Sequence, residues 1–128
     1  MAECGIPDSL VHGDFAPGNA RGRKGGVVLL DWGDCGVGHP LLDMSAFVDR
    51  IPSESVAPIK KHWTMRWRQA IPGSEPTRAA EILEPIAAAR QAVIYQGFLD
   101  GIEPSEHPYH RADPAEWLRR AAELARQT

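Results

Sequence analysis

The stretch from Leu10 to Asp43 constrains the fold more than any other part of the chain. It opens LVHGDFAPGNA, turns through a basic, glycine-rich segment, and resumes VVLLDWGDCGVGHPLLD. Leu10-Val11-His12 is a short apolar run that enters the turn-rich loop Gly13 to Gly18. Val27-Val28-Leu29-Leu30 is a continuous apolar run, half of it β-branched, that ends at Asp31. Runs this short, bounded by glycines, predict short strands, the second of them buried. Two short strands flanking the Arg21–Gly26 turn predict a hairpin whose ends bring the loop around Asp14 close to Asp31. Arg21, Arg23 and Lys24 then sit at a solvated hairpin tip.

Beyond Asp43 the patterns become helical. Pro40 suits the first turn of a helix through Leu41, Leu42, Met44, Ala46, Phe47 and Val48. A second helix is expected after Pro58, where Ile59, Trp63 and Trp67 recur every four residues on one face. A third runs from about Thr77 to Leu99, and Pro85 within it predicts a kink or two abutting helices. The last has the clearest start: Asp113 as cap, Pro114 at the first helical position and Glu116 three residues after the cap. Its apolar face is Trp117, Leu118, Ala121 and Leu124. Small β-elements followed by helices give an α+β, mainly helical fold. A length of 128 residues suits a single domain over 1–128.

Composition narrows the class. Hydrophobic residues at 43% and charged residues at 24% fit an ordinary soluble globular chain. A net charge of −3 argues against broad electrostatic binding of nucleic acid. No run reaches the roughly 18 apolar residues of a membrane span, and Met1 to Leu10 lacks a signal-peptide pattern. The cytoplasm is therefore the expected compartment. Cys4 and Cys35 show no CxxC spacing and read as free thiols, Cys35 as a small buried hydrophobe. His12, His39 and Cys35 match no zinc-ligand spacing.

Three polar residues carry the chemistry: Asp14, Asn19 and Asp31. Taken singly, each could be a turn former. Their order and spacing say more. Asp14 and Asn19 stand five apart on one loop, where a carboxylate can accept a hydroxyl proton and an amide oxygen can face a cation. Asp31 follows an apolar strand, so a rigid element would hold its carboxylate. Magnesium takes a few oxygen ligands of this kind, completed by water and phosphate. Phosphoryl transfer uses the same parts, with positioning and charge neutralisation supplying most of the catalysis.

His12-Gly13-Asp14 followed by Asn19 resembles the catalytic loop of the aminoglycoside phosphotransferase and choline kinase family, relatives of the protein kinases. Asp31-Trp32-Gly33-Asp34, with Gly38-His39-Pro40 and Asp43, resembles the metal-binding segment that follows it. The resemblance implies Asp14 as catalytic base and Asn19 and Asp31 as magnesium ligands. His12, Asp34 and Asp43 would support the loop, Asp34 and Asp43 by accepting backbone hydrogen bonds. It further implies the C-terminal lobe of a protein-kinase-like enzyme that uses Mg2+ and ATP or GTP to phosphorylate a hydroxyl of a small molecule.

Such an enzyme needs a second lobe with a glycine-rich loop and a strand-borne lysine, and no such pattern precedes Leu10. The expectation is a partial chain, inactive alone, with an exposed lobe interface open to a missing N-terminal lobe or to self-association. The competing reading is a non-catalytic, truncated or degenerate lobe acting as a binding module. A third, magnesium-dependent hydrolysis by the same carboxylates, fits the Asp14/Asn19 offset less well. The acceptor is not legible, although net acidity leans towards a cation. Trp63 and Trp67 are expected to pack in the core. Their functional alternative is an aromatic wall for the acceptor, aided by Asp49 or Glu54.

Overall fold

A computed structural model describes residues 2–127. The chain divides into two compact units, Met1–Ala80 and Glu81–Thr128. Its content is α+β and mainly helical.

In the first unit, β1 (Ser9–Val11) pairs antiparallel with β4 (Gly36–Gly38), Leu10 opposite Val37. Between them, β2 (Ala20–Arg23) and β3 (Gly26–Leu29) form a hairpin, Arg23 opposite Gly26, so most of the segment expected as a turn is strand and the turn shrinks to Lys24-Gly25. Gly25 turns it with φ +90°, a conformation open to glycine at no steric cost. Arg23 and Lys24 are exposed at the tip, whereas Arg21, also exposed, lies away from it and donates back to the Gly18 carbonyl at 2.7 Å. The apolar strand is not buried as expected: Val27 is 66% and Leu30 42% exposed, and Val28 and Leu29 are half-buried. A two-stranded ribbon has no further strand beside it, so even a continuous apolar run keeps much of its surface.

Helix α1 (Leu41–Val48) follows β4 directly, and its Leu41 and Met44 are fully buried. With Cys4, Ile6, Val11, Ala46, Val48 and Ala79 they make up most of this unit's core. The amide of Glu75 donates to the Cys4 carbonyl at 2.9 Å, tying the N-terminal turn to the start of α3 (Pro76–Gly101). His39, buried ahead of α1, accepts from the Leu41 amide through Nδ1 at 3.3 Å. Nδ1 is therefore unprotonated and the ring neutral. Burial lowers the pKa of His39, against the raising influence of Asp8.

Helix α2 (Ser53–Ala70) begins well before Pro58, which lies inside it. Pro58 is the sixth helical residue, past the four amides that lack intrahelical acceptors, and its missing N–H forfeits one bond, that to the Glu54 carbonyl. None of its eighteen residues, all of them described, is buried. The tryptophans are therefore not core residues, contrary to expectation. Cys35 is likewise exposed rather than buried, because it closes the turn in which its amide donates to the Trp32 carbonyl at 3.2 Å.

In the second unit α3 continues through Pro85 as one helix instead of splitting. A short helix α4 (His107–His110) follows it. Helix α5 (Asp113–Ala125) starts as the sequence suggests, but Asp113 is its first helical residue and does not cap it. Its carboxylate pairs instead with His110 Nδ1 at 3.0 Å. Tyr95 stacks on Trp117 at 6.4 Å and Phe98 meets His110 edge-on at 5.2 Å.

Candidate active site

The loop after β1 is fixed first through its backbone. Asp43, in the first turn of α1, accepts the His12 amide at 2.7 Å through one carboxylate oxygen and the Gly13 amide at 3.0 Å through the other. These are charge-assisted bonds, roughly twice as strong as neutral ones. Gly13 has φ +89°, and a Cβ there would overlap the Asp34 carbonyl group, 2.7 Å from its carbon. Only glycine lets the two segments approach so closely.

His12 is 2% exposed and acts from beneath. Its Nε2 donates to the Leu30 carbonyl at 2.8 Å, linking the loop to the end of the hairpin. The ring also lies 4.6 Å from Trp32 and 5.7 Å from Phe15. Asp34 contributes its carbonyl to the close approach at Gly13. Its carboxylate is exposed and, among the described residues, takes no hydrogen bond, so Asp43 alone of the two makes the bracing contacts.

Asp14 and Asn19 meet on the loop itself. Asn19 Nδ2 donates to the Asp14 backbone carbonyl at 2.9 Å and to its Oδ2 at 3.1 Å. With both acceptors on the amide nitrogen, Asn19 Oδ1 must point away from Asp14. The Asn19 carbonyl in turn accepts the Leu30 amide at 2.8 Å, which seats Asn19 against the residue before Asp31. Asp31 is exposed and, among the described residues, the one non-glycine with positive φ, at 61°. Aspartate tolerates this region better than most residues, and such conformations cluster at functional sites.

These residues fit a magnesium ion. An amide oxygen turned outward and an exposed carboxylate one residue beyond the same hydrogen bond are hard oxygen donors. Among the described residues no group of three or more His, Cys, Asp or Glu forms a metal cage. A sparse protein donor set completed by water and phosphate is the usual pattern for magnesium.

Sequence reasoning missed Arg50. Its Nη1 lies 2.6 Å from Asp14 Oδ1, so the carboxylate is held from both sides, by Arg50 and by Asn19. The available signal was its i+7 relation to Asp43, which places the two on one helical face. Also missed was an aromatic cluster behind the loop: Phe15 lies 5.3 Å from Phe47 and 5.6 Å, edge-on, from Trp63. Asp49 and Glu54 do not join the surface around Trp63.

Comparison with known families matches residues 5–82 to the phosphotransferase enzyme family, a span that contains every site residue above. No curated protein and no solved structure matches the chain. A match over more than half of the 128 residues, with this loop inside it, settles the family. The chain belongs to the phosphotransferase enzyme family, that of the aminoglycoside phosphotransferases and choline kinases.

Proposed function

We propose that the first unit carries the catalytic and magnesium-binding loops of a small-molecule kinase, transferring the terminal phosphate of ATP or GTP to a hydroxyl. The observation that carries this reading is the hydrogen-bonded pair Asp14–Asn19, with the Asn19 carbonyl tied to the Leu30 amide one residue before Asp31. Asp14 takes the proton from the acceptor hydroxyl. The oxygen then bonds to the terminal phosphorus as the bond to the β–γ bridging oxygen breaks and nucleoside diphosphate leaves. Arg50 and Asn19 fix the carboxylate, and each of its oxygens keeps a lone pair for the incoming hydroxyl. Asn19 and Asp31 would hold magnesium, which would supply positive charge to offset that developing on the transferred phosphate.

The chain is read as the C-terminal lobe of such an enzyme. On this reading the nucleotide grip, a glycine-rich loop followed by a strand-borne lysine, would be supplied by residues outside this sequence or by a partner. The test uses the enzyme with that part present, γ-labelled ATP, magnesium and a panel of hydroxyl compounds. Asp14→Asn should lower transfer on the order of 10²–10⁴-fold while nucleotide still binds. Undiminished turnover would remove Asp14 from the role of base.

A further inference from the structure

The exposed face of α2 forms a groove of about 570 Å3, within the size range of small-molecule sites. Its lining is Ile59, His62, Trp63, Arg66, Trp67 and Ala70. Two indoles, an isoleucine and an alanine make the wall apolar and suited to a flat ring. One wall of the groove touches the catalytic loop: Trp63 packs edge-on against Phe15, the residue next to Asp14.

Charge decides which flat ring. From Lys60 to Arg68 the helix reads KKHWTMRWR, four cations and a histidine with no acid, in a chain whose net charge is −3. Arg66 enters the groove and, among the described residues, makes no ion pair or hydrogen bond, whereas Arg68 reaches Thr77 at 3.5 Å. A cationic ligand would gain from the indole faces but would meet Arg66 and the field of its neighbours. An anion gains a planar, fork-shaped donor that no side chain satisfies.

We infer that the α2 groove is the acceptor subsite, and that it takes a planar, apolar hydroxyl compound bearing a carboxylate or similar anionic group directed at Arg66. The acceptor role rests on the kinase reading above. Anion-selective binding in the groove does not, and it is measured without nucleotide or magnesium.

The test is calorimetric titration of the purified chain with three ligands that share one ring system: 3-hydroxy-2-naphthoate, neutral 2-naphthol and cationic 1-naphthylmethylamine. The naphthoate should bind at least about tenfold more tightly than the other two, as expected for one hydrogen-bonded ion pair. Arg66→Gln should collapse that preference towards unity while leaving naphthol affinity and thermal stability unchanged. Trp67→Ala should weaken all three ligands, and Trp67→Phe should restore most of the loss. Ligand binding is read without nucleotide, and phosphoryl transfer by Asp14→Asn is read separately, so a failed kinase reading and a failed groove reading give different results. Preference for the amine, no binding of any ring, or an unchanged preference in Arg66→Gln would overturn the inference. So would a dimer, seen by sedimentation, that Trp67→Ala dissociates, because a second copy would then fill the groove.

Discussion

Gly13 and Gly25 have almost the same φ, +89° and +90°, yet different surroundings. At Gly25 a Cβ would meet nothing within 4 Å, whereas at Gly13 it would strike the Asp34 carbonyl. Gly25→Ala should therefore cost only about 1 kcal/mol, the strain of a left-handed non-glycine residue. Gly13→Ala adds a backbone clash to that strain and should cost at least about 2 kcal/mol, read from urea midpoints. At this scale much of the site was legible in the sequence. Asp14 and Asn19 lie on one loop, so their spacing nearly dictates their meeting. Arg50 was not legible, because it reaches Asp14 across 36 positions and only the docking of α1 brings it there.

Helix α1 is the element that organises the loop. Its first turn supplies the Asp43 carboxylate to the His12 and Gly13 amides, and Arg50, just past its end, grips Asp14. Asp43→Ala would leave two part-buried amides without acceptors. It should destabilise the fold by about 2–3 kcal/mol, and Asp43→Asn by less, since the amide oxygen can still accept one bond. Paired urea unfolding curves check both. The sequence announced α1 through Pro40 and its apolar spacing, but β4 escaped notice because Gly36-Val37-Gly38 is too short to show alternation. The start of α2 was hidden by Pro58, which usually marks a boundary and here costs a single hydrogen bond. α4 was hidden in the same way, by Pro108 within it.

For the molecule as a whole, acid sensitivity should centre on His39. Burial holds its folded pKa below the ordinary imidazole value of 6.5, so the unfolded chain takes up a proton first as pH falls. The stability it contributes is complete above pH 6.5 and drains away below, as the folded ring is forced to charge. Protonation at Nδ1 would also break the bond from the Leu41 amide. Thermal unfolding of the wild type should weaken more steeply below pH 6.5 than that of His39→Gln, whose side chain does not titrate. The fold class was legible because helical periodicity dominates after Asp43, and the two-unit division was not, because it falls inside the unbroken helix α3. The two-ended hold of α1 has a last consequence, for changes in length. Adding or losing one residue between Asp43 and Arg50 would turn one grip about 100° away from the other, whatever the inserted side chain. At the Lys24–Gly25 tip the same insertion would only lengthen a loop in water. What mutation must preserve in α1 is a count of residues before it is a choice of them.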